Sequence, residues 1–282
     1  DAEGCVHDGV YYPSHNAVDF YHHYREDIKL LADMGLSMMR FGICWTRIFP
    51  TGEEEKPNEE GLQFYENVVD ECLKYGIEPM ITICHDELPL HLANKYDGWS
   101  DRILIDCYVK LCKALFERLK GKVKYWLTFN ELNVLRGFSH LGTRNSDAQT
   151  TWQAIHHIFI ASARARILAR EIMPDAMFGA MFATSPAYPR TCHPDDQMAW
   201  MMQRRRLFYF SDVMLRGYYP CYAQSIWDEY GVTIRMDEKD AELLREGTLD
   251  FYSFSCYRST TIDRDEKLGI IALSFGENPY FL

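Results

Sequence analysis

The stretch "WLTFNELNV", residues 126–134, runs through strand-forming residues and then delivers Asn130, Glu131 and Asn133 at one spot. Runs of this kind favour a buried strand, whereas a carboxylate is rarely buried without a partner. A strand that ends on polar residues is typical of the edge where α/β sheets assemble their active sites. The stretch therefore directs attention to the ends of the other predicted strands.

A unit of helix, glycine and strand repeats along the chain. Apolar residues at three- and four-residue steps predict a first helix, closed by a glycine cap: Val18, Tyr21, Tyr24, Ile28, Leu31 and Gly35. The strand candidate "LSMMRFGICW" follows at 36–45. The second unit has a helix stripe formed by Leu62, Tyr65, Val68 and Cys72, and Gly76 follows it. The strand candidate "IEPMITIC" comes next, at 77–84.

The same unit continues to the end of the chain. The third helix stripe leads past Gly121 into "VKYWLTF" at 123–129 and consists of Tyr108, Leu111, Leu115 and Leu119. The fourth ends near Pro174, precedes "MFGAMFAT" at 177–184, and includes Trp152, Ile155, Phe159 and Ile167. Helical stretches around 195–216 and 237–246 precede a fifth strand candidate, "LDFYSFSCY", at 249–257. Such alternation predicts parallel strands with helices packed outside.

A doubly wound sheet and a (β/α)8 TIM barrel both fit this alternation. No Gly-x-Gly-x-x-Gly turn follows a strand, so nothing favours a dinucleotide-binding fold. Polar residues lie within or just beyond the ends of different strands, as a barrel site requires: Arg40, His85, Glu131 and Tyr257. We therefore predict a barrel, although five strands do not close one of eight.

Composition favours a single domain over residues 1–282. The chain is 47% hydrophobic and 25% charged, and it contains no linker or low-complexity tract.

Its net charge of −11 and scattered basic residues give no nucleic-acid-binding face. No apolar run reaches the ~20 residues of a membrane span. Nine cysteines without paired spacing suggest reduced thiols and a cytoplasmic location.

Glycosidic bond hydrolysis is one chemistry that a carboxylate at this edge can serve. One carboxyl group protonates the leaving oxygen, and a second carboxylate lies on the other side of the sugar. Glu131 fits the acid role, and Asn130 can hydrogen-bond a sugar hydroxyl. The alternative from the residues alone is that Glu131 is a solvated loop carboxylate and Asn130 a turn residue.

Adjacent histidines such as His22–His23 and His156–His157 point in different directions on a helix, so we expect no metal site.

The motif "TFNELN" at 128–133 resembles the Thr-Phe-Asn-Glu-x-Asn signature of glycoside hydrolase family 1. Other segments are similar to the family in family order, including "AVDFYHHYREDIKLLADMG" at 17–35, residues 45–79 and "GYYP" at 217–220. Within the family, "YPRTCHPDD" at 188–196 and residues 252–255 are most similar to bacterial 6-phospho-β-glucosidases. The resemblance implies that Glu131 is the general acid/base and that Asn130 binds the sugar's 2-hydroxyl.

The resemblance assigns further roles around Glu131. It implies that His85, in "ICHDELP", binds a sugar hydroxyl and that Arg40 and Tyr257 support the nucleophile. The alternatives are a structural histidine and a structural ion pair. Three tryptophans are interpreted as barrel packing and not as sugar platforms: Trp45, Trp99 and Trp126.

The family's nucleophile motif, Thr/Val-Glu-Asn-Gly, does not occur in the sequence. Glu277 in "GENPY" resembles a loop preceding the seventh strand, so we do not assign it as the nucleophile. Glu3 and Gly4 resemble a remnant of a sugar-binding stretch. We expect a barrel without its first strand and last two βα units, whose open edges a homo-oligomer or a complementing chain would cover.

Two internal positions depart from the family pattern. Cys256 stands where the family usually has a tyrosine that hydrogen-bonds the nucleophile, and Asp86 replaces an aromatic residue of the His-aromatic-Asp-x-Pro loop. The resemblance implies a retaining 6-phospho-β-glucosidase that needs no cofactor or metal. A β-glucosidase acting on unphosphorylated sugars and a non-catalytic sugar-binding chain remain alternatives, and we expect this chain to be inactive on its own.

Overall fold

Five parallel strands form the central sheet of the computed structural model, which describes residues 6–257 and 259–264. In spatial order these strands are β1 (Met38–Gly42), β2 (Glu78–Cys84), β3 (Tyr125–Phe129), β4 (Met177–Thr184) and β6 (Phe251–Cys256). Each strand pairs with the one before it in the sheet, so spatial order follows chain order. This arrangement is the wall of an incomplete (β/α)8 barrel, as predicted.

Two short strands lie outside this sheet. β5 (Ala187–Pro189) and β7 (Thr260–Ile262) pair in parallel with each other. Neither strand is predicted from the sequence, because three residues are too few to establish an alternating pattern.

Helices connect the strands. They are α1 (Phe20–Asp33), α2 (Trp45–Ile48), α3 (Glu59–Lys74), α4 (Leu90–Tyr96), α5 (Ile103–Leu119), α6 (Gly137–Leu141), α7 (Ala148–Ile172), α8 (Pro194–Arg216), α9 (Ala223–Tyr230) and α10 (Asp240–Glu246). Single 3-10 turns occur at Pro13–His15, Gly98–Ser100 and Leu132–Val134. The predicted alternation of helices and strands is confirmed.

Most residues of the predicted helix stripes are buried, whereas Tyr21, Leu31 and Ile167 are only partly buried. The apolar residues predicted for α3 and α5 are all buried against the sheet. Gly35 follows α1 with φ of 82°, a left-handed conformation that suits glycine. Val18 does not belong to the α1 stripe, because the helix begins at Phe20 and Val18 is 77% exposed.

The core lies between the sheet and the outer helices. Trp126 of β3 stacks on Phe178 of β4 and meets Phe116 of α5 edge-on. Trp45 and Trp99 are each 1% exposed. The interpretation of these tryptophans as packing residues is confirmed, since none of them can offer a face to a sugar.

The two histidine pairs lie in different surroundings, one exposed and one buried. His22 and His23 lie on the exposed side of α1 next to Asp19. His156 is fully buried between Asp240 and the Tyr219 hydroxyl. Within the described ranges, no three His, Cys, Asp or Glu side chains are grouped closely enough to hold a metal ion. The same ranges contain no helix long and apolar enough to cross a membrane.

Candidate active site

Four of the predicted site residues converge at the carboxyl ends of the strands. Arg40 comes from β1, Asn130 and Glu131 follow β3, and Tyr257 follows β6. Hydrogen bonds join them in two pairs, Arg40 with Asn130 and Tyr257 with Glu131. The parallel sheet brings them together because the carboxyl ends of its strands lie at one edge.

Arg40 fixes the amide of Asn130. Its Nε donates to Thr82 Oγ1 at 2.8 Å, and its Nη2 donates to Asn130 Oδ1 at 2.7 Å. Burial lowers the pKa of Arg40, while the nearby Glu131 and Asp86 carboxylates oppose this effect. Because guanidinium keeps its charge in proteins, Arg40 supplies a constant positive charge beside Asn130 and Glu131.

Glu131 lies at a sharp turn. Its φ of 35° and ψ of 41° are left-handed, and its carbonyl accepts the Val134 N–H at 2.8 Å in the 3-10 turn that follows. A non-glycine residue in this conformation costs about 1 kcal/mol, which the surrounding contacts must offset. The turn ends β3 abruptly and leaves the half-buried side chain of Glu131 at the carboxyl edge of the sheet.

Tyr257 is the hydrogen-bond donor to Glu131. Its Oη lies 2.7 Å from Glu131 Oε1, and this bond raises the pKa of the phenol because the carboxylate favours the protonated form. Cys256, which precedes it on β6, is exposed. Neighbouring residues of a strand point to opposite faces, so Tyr257 and not Cys256 is the residue directed toward Glu131.

Asn133 anchors the loop that carries Glu131. Its Nδ2 donates to the Ala183 carbonyl and its Oδ1 accepts the Ala183 N–H, both at 2.9 Å. Asn133 is 5% exposed, and this two-point bond ties the loop after β3 to β4. The second asparagine of the motif thus has a positioning role that the sequence analysis did not assign.

His85 lies at the end of β2 beside β1. A Cβ placed on Gly42 would lie 3.3 Å from His85 Cβ, so the glycine leaves room for the histidine. The His85 side chain is exposed and open to a ligand.

Two carboxylates follow His85. Asp86 Oδ1 lies 3.5 Å from Asn130 Nδ2. Although Glu87 is largely exposed, the protein around its carboxyl and the neighbouring Asp86 charge raise its pKa to about 7. The loop therefore brings negative charge to the site where the family pattern has an aromatic ring.

The sequence analysis did not identify Thr82 and Asp86 as site residues. They meet Arg40 and Asn130 through contacts between residues 42 and 44 positions apart. Such contacts depend on the register of β1, β2 and β3, which the periodicity of one sequence does not reveal. Three residues considered there, Glu3, Gly4 and Glu277, lie outside the described residues.

Comparison with known proteins identifies the family of the chain. The sequence profile of Glycosyl hydrolase family 1 matches residues 8–274. The chain is similar to the aryl-phospho-beta-D-glucosidase BglA of Bacillus subtilis, with 43% identity over 273 residues, which cover 93% of this chain and 57% of that protein. It is 44% identical over 261 residues to the 6-phospho-beta-glucosidase AscB of Escherichia coli, covering 90% of this chain and 55% of that protein. The chain thus spans little more than half the length of these relatives.

Solved structures agree with the sequence comparison. A family 1 β-glucosidase from Thermotoga maritima has a TM-score of 0.76 and 30% identity, over 86% of this chain and 55% of that one. A rice β-glucosidase has a TM-score of 0.77 and 28% sequence identity, over 87% of this chain and 55% of that one. The match of the profile to most of the chain, the barrel wall and the four converging residues lead to one conclusion: the chain belongs to glycosyl hydrolase family 1.

Proposed function

We propose that this chain carries the acid/base half of a retaining 6-phospho-β-glucoside hydrolase. The observation that carries the proposal is the grouping of Glu131 with its donor Tyr257 and with the nearby Arg40–Asn130 pair. A carboxyl group held by one phenol donor, beside an amide with a fixed orientation, suits proton transfer next to a bound sugar.

In this reaction Glu131 donates its proton to the leaving glycosidic oxygen. Asn130 and His85 hold hydroxyl groups of the sugar so that this oxygen lies near the carboxyl group. A retaining enzyme then needs a second carboxylate about 5–5.5 Å away, which attacks the anomeric carbon and forms a glycosyl-enzyme intermediate. The 282 residues contain no Thr/Val-Glu-Asn-Gly motif, so we propose that they do not turn over substrate by themselves.

The preference for a 6-phosphorylated sugar rests on the relatives. Proteins 43–45% identical to this chain are named aryl-phospho-β-glucosidase or 6-phospho-β-glucosidase. The beta-glucosidase A of Acetivibrio thermocellus is 32% identical. Hydrolysis of unphosphorylated β-glucosides is therefore the second candidate within the enzyme class.

The test joins this chain to the Thr/Val-Glu-Asn-Gly region of a family 1 enzyme. It compares p-nitrophenyl β-glucoside 6-phosphate with the unphosphorylated glucoside. We expect faster release from the phosphate, and in Glu131→Gln a loss of at least ~10²-fold in kcat/KM for an alkyl β-glucoside 6-phosphate, whose poor leaving group needs a general acid. Glu117→Gln, a surface change on α5, should leave the rate unchanged. Equal rates for the fusion and its Glu131→Gln variant would contradict the assignment of Glu131 as the general acid.

A non-catalytic sugar-binding role is a second candidate function. The fusion can be tested for binding of a glucoside with a thio linkage, which resists hydrolysis. If the fusion folds and binds this ligand but releases no nitrophenol from either substrate, the sugar-binding role replaces hydrolysis. The cytoplasmic location and the covering of the sheet's open edges by an oligomer or a second chain stay predictions. Among the described residues, β1 and β6 each pair with a single strand of the central sheet.

A further inference from the structure

The Asp86 carboxylate lies at the amide of Asn130, in a place where the family pattern has an aromatic ring. Asn130 is 5% exposed and stands between two charged groups. Its Oδ1 accepts from Arg40 Nη2 at 2.7 Å, and its Nδ2 lies 3.5 Å from Asp86 Oδ1. Arg40 is attracted electrostatically to the same Asp86 carboxylate. The three side chains therefore form a row of cation, amide and anion.

This row fixes which atoms of Asn130 face a ligand. The amide oxygen is directed toward the guanidinium, and the NH₂ group is directed toward the carboxylate. The opposite orientation would set two donors against each other at Arg40 and two acceptors at Asp86, at a high cost where water is largely excluded. Asn130 is thus held as a hydrogen-bond donor on its Asp86 side.

A sugar hydroxyl is the chemical group that matches this pair. A hydroxyl can accept a hydrogen bond and donate one, whereas an ionised carboxylate only accepts. The separation of 3.5 Å between Asn130 Nδ2 and Asp86 Oδ1 is at the outer limit of a hydrogen bond, so the direct contact is weak. A hydroxyl beside the pair can accept from Nδ2–H and donate to Asp86, and the second bond is strengthened by the carboxylate charge.

The loop holds Asp86 in place for such a contact. Its φ is 70°, a left-handed conformation that Asp tolerates better than most residues. The next residue is tied down, because the Cys84 thiol donates to the Glu87 carbonyl at 3.3 Å. α4 then begins at Leu90 and restrains the loop from the other side.

We propose that Asp86 is a sugar-binding residue that shares one hydroxyl of the glucoside with Asn130. This inference rests on the proposed function, because it concerns the sugar that Glu131 would protonate. It adds a specificity element to the site: a ligand without this hydroxyl leaves only the weak 3.5 Å contact between Nδ2–H and the carboxylate. Sites built to bond a hydroxyl discriminate strongly against analogues that lack it.

The test measures binding and needs no turnover. The ligands are p-nitrophenyl 1-thio-β-glucoside 6-phosphate and its 2-deoxy and 3-deoxy analogues, whose thio linkage resists hydrolysis, titrated into the protein by calorimetry or NMR. The variant is Asp86→Asn, because Asn also accepts the left-handed backbone and keeps the loop conformation. We expect the wild type to bind the parent ligand at least ~10-fold more tightly than one deoxy analogue, and Asp86→Asn to reduce that ratio to about 3 or less.

Glu87→Gln is the matched control, since it removes a neighbouring carboxylate without touching Asn130. The wild-type ratio should persist in this variant, and a similar reduction in both variants would overturn the proposal by showing a general effect of charge. An unchanged ratio in Asp86→Asn would also overturn it, while loss of hydrolysis in Glu131→Gln would leave the proposed function standing. Failure of the wild type to bind any of the thioglucosides would contradict both.

Discussion

The Tyr257 hydroxyl lies 2.7 Å from Glu131 Oε1, although the two residues are 126 positions apart in the chain. They follow β6 and β3, which are not neighbours because β4 lies between them. Two strands one position removed are about 10 Å apart along a sheet. Both residues lie on segments that follow their strands, and their long side chains together span that gap.

The Glu131–Tyr257 contact predicts how Tyr257 titrates. The hydrogen bond to the carboxylate raises the pKa of the phenol, so removal of the Glu131 charge should lower it toward the ordinary value near 10. We expect the Tyr257 resonance of ¹³C-tyrosine-labelled protein to titrate at lower pH in Glu131→Gln than in the wild type. Tyr257→Phe assigns the resonance.

Glu117→Gln is the control for this titration, because its carboxylate lies on the exposed side of α5 and pairs with Lys113. It should leave the Tyr257 curve unchanged. Coincident curves for the wild type and Glu131→Gln would contradict the contact, and the measurement is independent of catalysis.

Arg40→Lys should loosen the amide of Asn130. The arginine makes two directed hydrogen bonds, to Thr82 and Asn130, and a lysine ammonium cannot reproduce this planar geometry. We expect a loss of about 1–2 kcal/mol in unfolding free energy and of roughly 10-fold in affinity for the thioglucoside. Urea unfolding and calorimetry measure the two effects.

Arg164→Lys is the matched control for the arginine. Arg164 pairs with Asp106 near the surface, where Arg164 is 36% and Asp106 61% exposed, so the change should stay within ~0.5 kcal/mol. Equal effects of the two substitutions would indicate that the Arg40 geometry is not needed.

Sequence periodicity predicted the five strands of the central sheet and most of the connecting helices, because burial of an apolar face imposes the repeat of apolar residues directly. β4, for instance, matches the apolar run at 177–184 residue for residue. The motif at 128–133 identified Glu131 and Asn130 for a different reason, since it resembles a family pattern. Neither source predicted that Asn133 bonds the backbone of Ala183, because that pairing depends on how closely the loop after β3 approaches β4.

The Asn133 anchor predicts a large cost for its removal. Asn133→Ala would leave the buried N–H and C=O of Ala183 without partners, at about 1–3 kcal/mol for each group. We expect a total loss of roughly 2–4 kcal/mol in urea unfolding and faster hydrogen exchange at the Ala183 amide.

Asn133→Asp separates the two bonds. The aspartate can still accept the Ala183 N–H, but its second oxygen would face the Ala183 carbonyl, so we expect a loss of similar size with the amide still protected. Gln63→Ala, on the exposed side of α3, should change stability by less than ~0.5 kcal/mol. A loss below ~1 kcal/mol in Asn133→Ala would contradict the anchoring role.

Asp240 joins three helices away from the site. Its carboxylate accepts two hydrogen bonds from Arg102, at 2.7 and 2.8 Å, and one from His156 at 2.9 Å. The Asp237 N–H adds a further bond at 2.8 Å. Burial alone would raise the pKa of Asp240, but these bonds outweigh it and lower the pKa to about 2. α10 is thereby attached to α5 and α7.

The lowered pKa of Asp240 sets the sign of a pH effect on stability. A carboxyl group with a folded pKa below its unfolded value stabilises the protein fully above the unfolded pKa, ordinarily 3.8, and loses that stabilisation as the pH falls toward about 2. We expect Asp240→Asn to cost about 2–3 kcal/mol at pH 7, since it breaks a buried ion pair whose Arg102 partner keeps some solvent contact. Urea unfolding should show that the difference in unfolding free energy between the wild type and Asp240→Asn narrows between pH 4 and pH 2.

Asp106→Asn, at an exposed pair, is the control and should show neither this loss of stability nor its dependence on pH. A difference between the wild type and Asp240→Asn that stays constant over this range would contradict the assigned pKa.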